Sequence, residues 1–163
     1  MTKVKEKTVS ILVNNKPDVL ARIAGVFSLR SFNIESISAN ITKDPRMTKI
    51  ILTTRGNQVN LDKIEKQINN LVDIVQVNDL TKIPSVRREM LLIRLKVSKE
   101  NQKRVSQTIE KLEGKVLSKE GGSWIVEITG DADDIVNIID QFEKFGMDDF
   151  TRTGTIALEQ IHP

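Results

Sequence analysis

The chain has 163 residues, of which 39% are apolar, 29% charged and 4% aromatic, with a formal net charge of +3. Such a composition describes a globular protein of one or two small domains. It contains no apolar run of the ~20 residues needed to cross a bilayer and no signal-peptide core near Met1, so the expected address is the cytoplasm. Without cysteine there is no disulfide framework, no thiolate nucleophile and no zinc–thiolate site.

The single histidine, His162, stands second from the C-terminal end, and tyrosine is absent. The commonest general acid–base side chain is therefore missing from the body of the chain. This points to a binding or regulatory module rather than an enzyme acting alone, and no catalytic residue, metal-ligand set or cofactor site is assigned. Residues 1–84 carry 13 Lys/Arg against 8 Asp/Glu, whereas residues 85–163 carry 12 against 14. The difference supports two units with different surfaces.

In chain order, Lys7 to Val13 reads as a β-strand that begins with period-2 alternation and ends as an apolar run. Asn14-Asn15-Lys16-Pro17 breaks it, and Pro17 suits the first turn of a helix, where a missing N–H costs nothing. Val19, Leu20, Ile23, Ala24, Val26 and Phe27 then form an apolar stripe, predicting a helix over about 17–30. A strand near 33–42 follows, with its alternation slipping around Ser36-Ile37. After a turn at Lys43-Asp44-Pro45-Arg46, Met47 to Thr54 is a third strand. Leu61, Ile64, Ile68 and Leu71 mark a second helix, and Asp73 to Val77 a fourth strand.

Residues 78–85 read as a linker, after which the pattern repeats. Met90 to Val97 is a strand, and Ser98 caps a helix carrying Val105, Ile109 and Leu112 that ends at Gly114. Lys115 to Ser118 and Trp124 to Ile128 are strands joined through a tight turn at Gly121-Gly122. Asp131 to Lys144 is a helix with Ile135, Ile138, Ile139 and Phe142 on one face. Phe150 to Leu158 supplies the last extended segment. Trp124 is expected in the core, Arg87-Arg88-Glu89 at the surface, and Asp131, Asp133 and Asp134 as first-turn carboxylates of a helix rather than cation ligands.

The fold class expected is α+β: two tandem β-α-β-β-α-β units, residues 7–80 and 86–160, each an antiparallel four-stranded sheet with two helices on one face. Units of about 75 residues bury only about 60–65% of their extended surface, and their open edges need partners, so self-association is expected.

The loop Asn15-Lys16-Pro17-Asp18-Val19-Leu20 lies where a strand meets a helix N-terminus. Free N–H groups and the positive end of the helix dipole suit a carboxylate there. Asn33 is expected at the same end of the sheet, where its amide could serve an amino acid carrying both carboxylate and ammonium. The same residues are also ordinary turn and helix-start chemistry, and pattern alone favours that reading.

Asn15 through Phe27, followed by Arg30-Ser31-Phe32-Asn33-Ile34-Glu35-Ser36, resembles the N-terminal ACT domain of acetolactate synthase small subunits. Met47 to Ile50, Ile64 to Asp73, Arg87 to Ile93 and Arg152-Thr153-Gly154 extend the resemblance over residues 7–160. It implies a regulatory subunit of branched-chain amino acid synthesis that binds and activates a large catalytic subunit and mediates valine feedback. Thiamine diphosphate, FAD and magnesium are then expected on the large subunit and none on this chain. The family's ACT domains pair side by side as a homodimer, with valine or another branched-chain amino acid at the interface. The residues that match this pocket are Asn15, Asp18, Val19, Leu20, Asn33 and Ile34.

The chain departs from the family where Asp18 and Ser31 replace the usual glycines. An unpaired Asp18 ~4 Å from a ligand carboxylate would repel it by roughly 4 kcal/mol at an effective dielectric of 20, up to about a thousandfold in affinity. Lys16 or the ligand's ammonium would relieve part of this, and the expectation is weakened valine feedback. A stand-alone ACT-type regulator of another enzyme is the alternative. RNA-recognition domains share the element order, but the third strand has no aromatic residue for base stacking. No segment is left over for a helix-turn-helix. Neither nucleic acid nor membrane is an expected partner.

Overall fold

The computed structural model describes residues 5–160. These form two compact units, one holding the described residues of Met1–Val86 and Thr155–Pro163, the other Arg87–Gly154. The architecture is α+β and ferredoxin-like, as the element pattern predicts.

In the first unit the strands are β1 (Lys5–Asn14), β2 (Ile34–Ile41), β3 (Met47–Gly56) and β4 (Ile74–Asp79), with helices α1 (Val19–Ser28) and α2 (Gln58–Asn69). The sheet order is β2-β3-β1-β4, with every neighbouring pair antiparallel. Alternate residues of a strand share a face. Val9, Ile11 and Val13 of β1 and Ile50 and Leu52 of β3 therefore meet the buried stripes Val19, Ile23, Val26, Phe27 and Ile64, Ile68 of the two helices. The slip in the β2 pattern is a register shift against β3 between Ile34 and Ser36, which turns Ile37 back toward the helix side.

Helix α1 ends in a Schellman arrangement: Phe32 N–H donates to Phe27 O and Ser31 N–H to Ser28 O. The residue at the left-handed position is Ser31, at φ +54°. The backbone thus keeps the turn that a glycine would make there, with a Cβ in an unfavourable conformation.

The second unit contains most of β5 (Ser85–Lys96), with β6 (Lys115–Glu120), β7 (Ser123–Gly130), β8 (Met147–Arg152), α3 (Gln102–Lys111) and α4 (Ala132–Glu143). Its order is β6-β7-β5-β8. Leu91, Ile93 and Leu95 with Trp124, Val126 and Ile128 pack under Val105, Ile109, Ile135, Ile138 and Phe142, and Trp124 is buried. Gly121 and Gly122 both have positive φ, as the two-residue hairpin demands.

Four local readings change. Ser98 does not precede α3 directly. Asn101 is its N-cap, and the two residues bond reciprocally, Ser98 N–H to Asn101 Oδ1 and Asn101 N–H to Ser98 Oγ. The helix stops on Glu113 at φ +55° rather than on Gly114; a side chain on Gly114 would press on Ile109 and Ile128. The last extended segment is two strands, because Gly154 at φ +74° turns the chain between β8 and β9 (Ile156–Glu159). Strand β9 pairs with β5 and belongs to the first unit. There Ala157 is buried with Ile51 and Leu80, Ile83 packs beside them, and the 78–85 stretch is consequently anchored.

Relieving the left-handed strain at Ser31 by Ser31→Gly, less the entropy glycine adds to the unfolded chain, is expected to stabilise the protein by about 0.5–1 kcal/mol. The urea midpoint should rise with its slope unchanged. A lower midpoint would contradict this reading of the turn.

Candidate functional site

The β1–α1 loop is organised from beneath by a carboxylate. Asp73, just before β4, is 3% exposed. Strand β4 lies beside β1, so its first residues meet the end of β1. Asn14 N–H donates to Asp73 O at 2.9 Å. Asp73 Oδ1 accepts from Lys16 Nζ at 2.6 Å and from Asn14 Nδ2 at 3.4 Å, and Oδ2 accepts from Arg22 at 3.0 Å. The hydrogen bond from Lys16, supported by Asn14 and the charge of Arg22, holds the Asp73 carboxyl below the usual carboxylate range against the effect of burial.

Asp18 is the N-cap of α1, yet its side chain makes no capping bond and its backbone is helical, φ −94° and ψ −7°. Its carboxylate accepts from Arg22 one turn on. Arg22 therefore bridges Asp18 and Asp73, while Lys16 pairs among the described residues with Asp73. The cation that relieves Asp18 is Arg22, not the Lys16 of the sequence reading. Leu20 and Ala21 N–H, the second and third of the helix, have no acceptor among the described residues. Both residues are exposed, so this end of α1 is an open shelf.

Asn15 is already engaged: Nδ2 donates to Pro45 O at 2.9 Å, and Oδ1 accepts from Thr48 Oγ1 at 3.1 Å. It pins the β2–β3 turn and keeps one donor and one lone pair for a ligand. Asn33 is not at the same end of the sheet. Asn14 faces Met47, whereas Ile34, the residue after Asn33, faces Thr54; Asn33 O accepts from Thr54 Oγ1 at 2.7 Å. Seven residues of β3 separate the two ends, about 23 Å at the rise of a strand. The reason is topological: β1 and β2 are both antiparallel to β3, hence parallel to each other, so the end of one lies far from the start of the other. Within one chain the structure gathers Asn15, Asp18, Val19 and Leu20 and leaves Asn33 and Ile34 apart. Val19 is buried in the core, and Ile34 is half-buried against it.

The sequence reading missed Arg22 and Asp73. Arg22 had a signal, since it follows Asp18 at i,i+4 on a helix. Asp73 had none without the strand order.

Residues 9–76 match the family described as an AHAS small subunit-like ACT domain, and residues 88–161 the family described as the small subunit of acetolactate synthase. The acetolactate synthase small subunit of Aquifex aeolicus is 30% identical over 96% of this chain and 82% of its own length. The chain belongs to the acetolactate synthase small subunit family. The crystal structure of the small subunit from Thermotoga maritima superposes with a TM-score of 0.87 at 30% identity, covering 98% of this chain and 99% of that one. A chloroplastic small subunit of Arabidopsis thaliana is 32% identical over 97% of this chain, which spans 33% of the plant protein.

Two separated stretches that carried the resemblance are one feature of the fold. Arg152 makes a fork to the buried Glu89, Nε to Oε1 and a terminal nitrogen to Oε2, both at 2.8 Å. Thr153 N–H donates to Met90 O, and Met90 N–H to Thr153 Oγ1. Glu89 is 3% exposed, so it is a structural anchor rather than the surface residue expected. Arg88 is exposed and pairs with Asp131, which supplies the N-cap backbone of α4 without a side-chain cap.

A second charge cluster lies at the far end of β1. Buried Lys7 pairs with Asp62, Glu65 and Asp79, and Lys82 also reaches Asp79. Burial opposes the charge on Lys7, but Glu65 and Asp79 hold its pKa above the ordinary value. Because these cations and carboxylates meet one another, the cluster reads as structural support for α2 and β4. Among the described residues no group of His, Cys, Asp and Glu is placed to hold a metal, and no helix is long and apolar enough to cross a membrane.

A carboxylate with a depressed folded pKa contributes stability above its unfolded pKa of about 4 and loses it as pH falls further. Asp73→Asn is therefore expected to lower the urea midpoint at pH 7, with the gap to wild type closing as pH drops from about 4 toward 2. Equal midpoints at neutral pH would remove Asp73 from the account of the loop.

Proposed function

We propose that this chain is a regulatory subunit that binds the large catalytic subunit of acetolactate synthase, raises its activity and confers feedback inhibition by valine or another branched-chain amino acid. The thiamine diphosphate, FAD and magnesium of the reaction belong to the large subunit in this reading. Family membership supports the partnership. The observation that carries the effector site is the open α1 N-terminus beside an uncovered sheet edge.

That edge is β2, outermost in its sheet. It exposes Ile37 and Ile41, and Leu20 and Leu29 of α1 are exposed as well. An unpaired apolar edge invites a second strand. If two copies join their β2 strands antiparallel, residue 34 of one copy approaches residue 41 of the other. Ile41 is paired with Thr48, which bonds Asn15. Such pairing carries Asn33 and Ile34 of a second copy to the Asn15–Leu20 loop of the first. One chain holds two half-sites, and a homodimer completes both. The effector carboxylate then lies on the free N–H groups of Leu20 and Ala21.

Asp18 weakens valine binding less than an unpaired charge would. Arg22 neutralises much of it, and what remains is bulk where the family has glycine. Asp18→Gly is expected to tighten valine by about tenfold, or about 1.4 kcal/mol, rather than a thousandfold.

The test is reconstitution. Alone, the full chain should sediment as a dimer and form no acetolactate. Added to a large subunit, it should raise the rate, and valine should reverse the increase. Ile37→Lys with Ile41→Lys should yield monomers that no longer bind valine. A monomeric wild type, or no stimulation of the large subunit at saturating small subunit, would overturn the proposal.

A further inference from the structure

Helix α2 of the same unit shows what an N-cap ordinarily does. Asn57 is extended, φ −77° and ψ 149°, and its side chain accepts from the N–H of Asn60, the third helical residue. Asp18 is as good a capping residue by chemistry, and Ala21 N–H stands in the place of Asn60 N–H. Yet Asp18 has a helical backbone, caps nothing, and gives its carboxylate to Arg22. Arg22 is not free to follow Asp18, because its other terminal nitrogen is bound to buried Asp73, which Lys16 and Asn14 also hold. No other charged group contacts Asp18 among the described residues.

We propose that Arg22, anchored on Asp73, is a positioning residue that draws Asp18 away from the start of α1, so that the N–H groups Asp18 would cap stay open for an effector carboxylate. Asp18 is then a displaced cap. Released from Arg22, it turns to the extended conformation of Asn57, accepts from Ala21 N–H and occludes the shelf from within the chain. This explains how an aspartate can stand at the mouth of an anion site, and it rests on the effector reading of that site. No bond is made or broken; one carboxylate exchanges donors.

The device has a readout that needs no effector. In the full chain without amino acid, the Ala21 amide should exchange hydrogen without protection in wild type. In Arg22→Leu it should become protected by at least about tenfold as Asp18 caps it. The double variant Asp18→Gly/Arg22→Leu should lose that protection. Asp73→Asn, which frees Arg22 without removing it, should move Ala21 in the same direction as Arg22→Leu and by less. Valine calorimetry on the same proteins should show Arg22→Leu weakened by about tenfold and the double variant restored to the affinity of Asp18→Gly.

Unchanged Ala21 exchange in Arg22→Leu, or a double variant as weak for valine as Arg22→Leu, would overturn the proposal. If Ala21 responds as expected while neither wild type nor Asp18→Gly binds valine, the displaced cap stands and the effector reading falls.

Discussion

A carboxylate taken out of water is costly unless charged donors surround it, and Asp73 sets the terms for the loop above it. Lys16, Arg22 and Asn14 converge on one buried side chain. The backbone of Asn14 is fixed to the same residue. Together these bonds settle where β1 ends, where α1 begins and which way Asp18 faces. The open start of α1 follows from that arrangement: the residue that ought to close it is held elsewhere by a cation that is itself held. Strand order makes this possible, because pairing of β4 with β1 brings residue 73 under residue 14.

The second constraint is directional. Two strands flanking a common antiparallel neighbour run the same way, so the end of β1 and the start of β2 are about 23 Å apart in one chain. Residues separated by eighteen positions in sequence therefore cannot share a ligand unless a second copy supplies one of them. Ile37 and Ile41 are exposed on the outermost strand, an apolar surface that pairing with a second copy would bury. Regulation by an amino acid would in this arrangement be a property of the dimer, since each half-site is only a shelf.

Elsewhere the fold tolerates unfavourable local choices where packing or hydrogen bonding over-determines the backbone. Ser31 and Glu113 both occupy left-handed positions at helix ends. At Glu113 the following residue explains the placement: Gly114 passes so near Ile109 and Ile128 that the glycine is used for close approach. The Glu89–Arg152 fork joins the early and late parts of the second unit. It accounts for a charged motif that looks like surface when read along the chain.

How much of this was legible in the sequence differs by feature. Periodicity placed all four helices and most strands within a few residues, because alternation and helical spacing are local consequences of burying one face. The exceptions are β5, which begins at Ser85 rather than Met90, and the last extended segment, which is two strands. The loop Asn15–Leu20 was also legible, since Pro17 and the apolar stripe that follows mark a helix start, and the resemblance to a family rested on such local runs. Three things needed the tertiary structure. The position of Asn33 depends on strand direction, the bridge from Asp18 through Arg22 to Asp73 on strand order, and the return of Ala157 to the first unit on a turn at Gly154 far along the chain. Charge partners and sheet ends are set by which segments lie side by side, and local spacing does not encode that.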